Sequence, residues 1–188
     1  MSEIVLHAKQ SEVIKDLFVD KVCRYSVVTA SRGFGKSYLA ASAALIAVQE
    51  LMELPEDVPN KNVALIAPTY SQAVDIYYPL IAWQMGMEDY ADKASKAAGT
   101  FWFPNNVQLK LWSYEASQRM RGTGQYFVVA DEVTSWHGAG MNLKESWESI
   151  IQPCVTTRWS RQNASKYNAN AGRALIISTP SGYDYFHE

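Results

Sequence analysis

The chain has 188 residues, a formal net charge of −2 and a sequence pI near 5.9. A hydrophobic fraction of 48% with 12% aromatics describes a folded globule and excludes a disordered tail. The near-neutral balance excludes a protein that coats nucleic acid by bulk charge, so any DNA contact must come from a local basic surface.

In chain order, residues 8–19 carry Val13, Leu17 and Phe18 at helical spacing and predict a helix. Tyr25 to Thr29 is a mainly β-branched strand. Tyr38 to Met52 is rich in Ala and Leu and predicts a buried helix, ended by Pro55 and Pro59. Val63 to Ala67 is a second apolar strand, closed by Pro68. Ser71 to Met85 reads as helix, kinked or split at Pro79. Thr100–Phe103 and Val107–Trp112, joined by Pro104-Asn105-Asn106, predict a hairpin. An apolar strand at 126–131, a helix from Leu143 to Ile151, a polar loop at 160–172 and a buried strand at Ala174–Ser178 complete the chain. Apolar strands alternating with helices imply an α/β domain with a central, mostly parallel sheet covered on both faces. The length suits one domain, 1–188, with ligands expected beyond the carboxyl ends of the strands, where Thr29, Pro68, Asp131 and Ser178 fall.

Two segments carry chemistry. Val27-Val28-Thr29-Ala30-Ser31-Arg32-Gly33-Phe34-Gly35-Lys36-Ser37 reads as strand, glycine-bearing loop and helix start. Backbone N–H groups of such a loop wrap phosphates, the helix N-terminus favours their charge, and a lysine neutralises it. This is a Walker A pattern with Ala30 where its first glycine usually stands. Ser31, Arg32, Gly33, Phe34, Gly35, Lys36 and Ser37 are therefore candidate nucleotide contacts, with Lys36 reaching the β- and γ-phosphates and Ser37 binding Mg²⁺. Downstream, Phe127-Val128-Val129-Ala130-Asp131-Glu132 places two carboxylates at a strand end, a Walker B pattern. Asp131 is the candidate Mg²⁺ ligand and Glu132 the candidate base for an attacking water. Together they predict a P-loop NTPase of the RecA-like kind that activates water with a carboxylate.

The arginine within Ser31-Arg32-Gly33-Phe34-Gly35-Lys36-Ser37 resembles the large terminase subunits of tailed bacteriophages, the ATPases that pump DNA into procapsids. Ala67-Pro68-Thr69-Tyr70 with Gln72-Ala73, Met120-Arg121-Gly122, Val128–Glu132, and Ile177-Ser178-Thr179-Pro180 with Gly182 and Phe186 are similar in order to further segments of that family. The resemblance runs from about Gln10 to Phe186. It implies that Gln10 reads adenine, although a helix-surface glutamine is the plain alternative. It implies that Arg32 touches the γ-phosphate in cis. Arg121 would be an arginine finger offered to a neighbouring subunit, or else a surface ion-pair partner. Ser178 and Thr179 would couple hydrolysis to motion, or else form a strand exit. The partners implied are double-stranded DNA, a portal protein and a small terminase subunit, with a homo-oligomeric ring on the procapsid or a monomer when alone. The family's nuclease domain and most of its linker subdomain are expected to be absent, so no nuclease activity is expected.

From Ser149 to Tyr183 the sequence has no acidic residue, while Arg158, Arg161, Lys166 and Arg173 lie there with Trp159 and Tyr167. This span is either a phosphate-tracking DNA face or a solvated loop. Cys23 and Cys154 lack metal-ligand spacing and are expected to be reduced thiols. With no apolar run approaching 18 residues, the chain is expected to be soluble and without membrane partners, in the host cytoplasm. Two other readings remain beside the packaging motor: a helicase-type DNA translocase, and a nucleotide-gated assembly module with little turnover.

Overall fold

Strand β6 (Phe127–Asp131) shows how the sheet organises the chain. Its residues alternate between two cores: Phe127 and Val129 face one, Val128 and Ala130 the other. A strand buried on both faces has no solvent side, which is why it reads as an unbroken apolar run. The structure, a computed structural model, describes residues 5–87, 89–136, 142–160 and 172–180.

The other strands are β1 (Tyr25–Thr29), β2 (Asn62–Ala67), β3 (Lys93–Ser95), β4 (Thr100–Phe103), β5 (Val107–Ser113) and β7 (Arg173–Ser178). They form one sheet in the order β1-β7-β6-β2-β5-β4-β3. The pairs β1–β7, β7–β6, β6–β2 and β2–β5 are parallel, whereas β5–β4 and β4–β3 are antiparallel. Thr29 pairs with Ser178 and Asp131 with Ile177, so the ends of three strands lie side by side.

One face is covered by α1 (Ala8–Ile14, continued by a π-helical turn Lys15–Val19) and α2 (Lys36–Met52). Leu39, Ala40, Ala43, Ala47, Val48 and Leu51 of α2 are buried, and the small alanines let the helix lie close on the sheet. A one-turn helix α3 (Tyr70–Gln72) continues into π-helical turns at Ala73–Tyr77 and Leu80–Gln84, on either side of Pro79. Proline has no N–H to donate, yet Tyr78 and Pro79 both keep right-handed helical angles, so the helical path expected to kink or split there runs on without a break. The opposite face is covered by α4 (Leu143–Ser146) and its π-helical continuations Trp147–Ile151 and Cys154–Ser160. Ile150, Ile151 and Val155 pack with Ala64, Val128, Ala130 and Ala174 in this second core.

The hairpin β4–β5 turns through Asn105 and Asn106 at φ 63° and 59°, a region asparagine tolerates better than most side chains. The turn also anchors the end of α2: Asn105 Nδ2 donates to the carbonyls of Met52 and Leu54, and buried Lys61 holds the Asn105 carbonyl. The edge strand β3 and a 3₁₀ helix at Glu115–Met120 are elements that the sequence reading does not contain. The polar loop expected at 160–172 lies almost wholly outside the described residues. Both cysteines are free thiols. Among the described residues no helix is long and apolar enough to cross a membrane.

Candidate nucleotide-binding site

The loop after β1 turns through Gly33 (φ 85°) and Gly35 (φ 80°), and Gly35 caps α2 from the left-handed region that glycine adopts without penalty. Lys36, the first residue of α2, folds back into this loop. Its Nζ donates to the carbonyls of Ala30 (3.0 Å) and Ser31 (3.1 Å) and stands 3.7 Å from a Glu132 carboxylate oxygen. A polyphosphate in the loop would offer this ammonium stronger, charged acceptors than two carbonyls.

Gln10 is 4% exposed and clamps the loop. Its Nε2 donates to the carbonyls of Phe34 and Gly35, both at 3.1 Å, and its Oε1 accepts from the His7 N–H. Both amide hydrogens therefore serve the loop, and Oε1 is held by the helix start. A Cβ at Gly35 would lie 2.6 Å from Gln10 Nε2, so this packing as well as the positive φ calls for glycine. Phe34 is also held by His7, whose ring meets it edge-on at 4.8 Å. Ser31 and Arg32 are exposed.

Across the sheet, β6 ends at Asp131, which is 5% exposed. Its Oδ2 accepts from the Tyr77 hydroxyl at 2.5 Å, and Ser37 lies beside the same hydroxyl. Burial raises the Asp131 carboxyl from 3.8 to about 6. The Glu132 charge adds to the rise, while the Tyr77 hydroxyl, the Glu132 N–H and Lys36 oppose it. Burial likewise pushes the Tyr77 phenol well above its ordinary value.

Glu132 leaves the strand in the left-handed region (φ 47°, ψ 46°), an uncommon and strained position for a side-chain-bearing residue. Thr179 holds its carboxylate with the backbone N–H at 3.2 Å and the hydroxyl at 2.9 Å. Ser178 connects the neighbouring segments: its carbonyl accepts from the Ala30 N–H, and its hydroxyl meets the Thr134 hydroxyl at 2.7 Å. Thr134 and Tyr77 are the members of this constellation that sequence reasoning misses. Neither stands in a motif, and only the parallel register brings them to the site.

A cavity of about 370 Å³ opens beyond these strand ends, lined among others by Arg32, Pro68, Asp131, Glu132, Thr134 and Thr179. The structure thus brings together Arg32, Lys36, Ser37, Asp131, Glu132, Ser178 and Thr179. Arg121 is exposed at the end of the 3₁₀ helix and does not line this cavity. The oxygens of Ser37 and Asp131 lie on either side of the Tyr77 hydroxyl and suit a hard cation such as Mg²⁺, which takes few protein ligands beside phosphate oxygens and water. Among the described residues there is no cluster of three His, Cys, Asp or Glu side chains that would hold a metal.

One member of the expected basic face, Arg173, is corrected by the structure. Arg173 is 2% exposed and faces inward. Its guanidinium pairs with Glu50 at 2.5 Å and donates to the Tyr126 hydroxyl and the Leu17 carbonyl, both at 2.6 Å. It is a core ion pair and cannot reach DNA phosphates. Trp159 is also fully buried, edge-on to Tyr126 at 5.2 Å. Arg158 lies on the Cys154–Ser160 helical turn, and Arg161, Lys166 and Tyr167 lie outside the described residues.

Neither protein-family models nor curated proteins give a match to the chain. Solved structures do. The Thermus phage P74-26 large terminase ATPase domain superposes with a TM-score of 0.65 at 21% identity, over 97% of this chain and 68% of that one. The HK97 bacteriophage large terminase gives 0.62 at 17% identity, over 93% of this chain and 33% of that one. A large terminase from a thermophilic bacteriophage, in complex with ADP, gives 0.52 at 12% identity, over 93% and 38%. The chain therefore spans about two thirds of the first protein and between 33% and 38% of the others. At these identities the likeness is one of fold: the chain has the P-loop α/β fold of the ATPase domains of phage large terminases.

Proposed function

We propose that this chain is the ATP-hydrolysing motor domain of a phage large terminase, coupling hydrolysis to the movement of double-stranded DNA. The observation that carries the reading is the convergence of Lys36, Ser37, Asp131 and Glu132, two motifs far apart in sequence, at one set of strand ends. The terminase-like fold and the ADP bound to the thermophilic phage's protein support it.

In this reading the loop N–H groups and Lys36 bind the polyphosphate, and Arg32 reaches its γ end from the same cavity wall. Ser37 and Asp131 would hold Mg²⁺, which when bound neutralises charge on the β- and γ-phosphates. Glu132 orients water for attack on the terminal phosphorus and takes its proton, while the departing ADP carries the charge of the broken phosphoanhydride bond. Thr179 holds Glu132 through two hydrogen bonds, and Ser178 ties the phosphate loop to Thr134, so the end of β7 is placed to pass a change at the γ-phosphate to the sheet.

Arg121, exposed and outside this cavity, is assigned to a neighbouring subunit's site in a ring. Double-stranded DNA, a portal protein and a small terminase subunit are the proposed partners, and the host cytoplasm the proposed setting. Glu132→Gln is the test. It is expected to bind ATP with Mg²⁺ as the wild type does and to hydrolyse it at least about a hundredfold more slowly. Wild-type rates should rise steeply with protein concentration if Arg121 acts in trans. Substantial turnover by the Gln variant would remove Glu132 as base, and nucleotide uptake without turnover in the wild type would favour the gated assembly module.

A further inference from the structure

We infer that Tyr77 is a positioning residue of the cation site, its hydroxyl fixing the orientation of the Asp131 carboxylate beside Ser37. The inference rests on the nucleotide-hydrolysing reading above and deepens it.

Tyr77 is fully buried, at the end of the π-helical turn Ala73–Tyr77 that follows β2. Its ring lies in the same apolar core as Leu39, Ala43 and Val129, so its hydroxyl is a fixed point and not a mobile tip. Turns of this kind recur at functional sites because they displace a side chain from the regular helical path. Packing alone would be served by phenylalanine. A buried phenol is tolerated only with a hydrogen-bond partner, and the one it has here is the candidate metal ligand Asp131.

The proton count fixes the direction of this bond. An ionised carboxylate only accepts, so the single Tyr77 proton goes to Asp131 Oδ2. Asp131 is turned by the bond, with Oδ2 occupied and its other oxygen left for the shell of a cation. The hydroxyl therefore sets the lone pairs of the carboxylate, as outer partners do around metal ligands.

The test compares wild type with Tyr77→Phe by calorimetry of ADP binding, once in EDTA and once in Mg²⁺, with Mn²⁺ loading followed by electron paramagnetic resonance. Binding in EDTA is expected to be unchanged within about twofold. The gain in affinity supplied by Mg²⁺, and the affinity for Mn²⁺, are expected to fall about tenfold or more. An equal loss with and without cation would show a packing role and overturn the inference, as would no loss at all. Should the Phe variant fail to fold, Tyr77→Met, which fills the space with a more adaptable chain, is judged on the same two numbers. A wild-type chain that takes up no adenine nucleotide removes the hydrolytic reading itself and this inference with it. Normal wild-type binding with an unaltered Phe variant removes this inference alone.

Discussion

Replacing Asp131 by Asn is expected to stabilise the ligand-free chain at neutral pH and to destabilise it in mild acid. Burial holds the Asp131 carboxyl at about 6, above its ordinary value of 3.8, with Tyr77, Glu132 and Lys36 as the groups that face it. Between those two values the folded chain keeps a proton that the unfolded chain has released. Stability therefore falls as pH climbs through that window, and the loss is complete once both states are ionised. A rise of about two units corresponds to about 3 kcal/mol at pH 7.5. Asparagine carries no charge, but it offers one acceptor oxygen where the carboxylate, bonded to the Tyr77 hydroxyl, offers two. The lost acceptor offsets about 1–2 kcal/mol of the gain. The net effect is about +1 to +2 kcal/mol at pH 7.5 and about −1 to −2 kcal/mol at pH 4, crossing at about pH 5. Urea unfolding of both proteins in EDTA across this range measures the difference from the transition midpoints. A variant less stable by the same amount at every pH would refute the reasoning, because the carboxylate would then carry no burial penalty to relieve.

Gly35→Ala is expected to lower stability by about 1 kcal/mol or more and to weaken ADP binding, since the left-handed φ and the contact with Gln10 Nε2 both resist a Cβ. Thermal melting and calorimetry read the two effects, and unchanged ADP affinity would detach Gln10 from loop geometry. Arg173→Met is expected to cost about 2–3 kcal/mol by removing the buried cation from Glu50, which keeps Lys21 at 3.4 Å, and Glu50→Gln combined with Arg173→Met should recover part of that loss. DNA affinity of the folded fraction is expected to stay at the wild-type level in a salt titration, and a reduced salt slope would return Arg173 to the surface.

Much of the fold is legible because its signals are local. A β-branched run leads into β1, glycines mark the loop, and an Ala-rich stretch makes α2. The hairpin shows itself through Pro104-Asn105-Asn106, and β6 through its unbroken apolar run. Strand β3 escapes because three residues with little apolar character carry no period, and its register with β4 alone makes it a strand. Arg173 misleads for a different reason. A charge count along the chain sees a basic span, but its acid partner lies 123 positions away on α2. Trp159 likewise reads as a base-stacking residue until the core around Tyr126 is in view. Tyr77 gives no sign, since a tyrosine inside a helical pattern is ordinarily core, and here the ring is core while the hydroxyl reaches the site.

The position of β7 makes the coupling role proposed for residues 178 and 179 physically economical. It lies between β1, which ends in the phosphate loop, and β6, which ends in the acid pair. Its exit therefore touches both: the Ser178 carbonyl takes the Ala30 N–H, and Thr179 takes the Glu132 carboxylate. Lys36 closes the circuit by sharing its ammonium among Ala30, Ser31 and Glu132. A polyphosphate that captures Lys36 removes the cation beside Glu132 and leaves Thr179 as its hold. Whatever then moves the γ-phosphate relative to Glu132 must strain or break a bond to β7, which among the described strands is the one bonded to both that carry the site. Shortening or lengthening the reach of Thr179 is thus expected to alter the link between hydrolysis and motion more than nucleotide affinity. Thr179→Ser keeps the donor and should preserve DNA-stimulated turnover. Thr179→Val keeps the shape without the hydroxyl and should lose stimulation while ADP binding stays within about twofold, because the hydroxyl hydrogen bond is to the base and not to the phosphate loop.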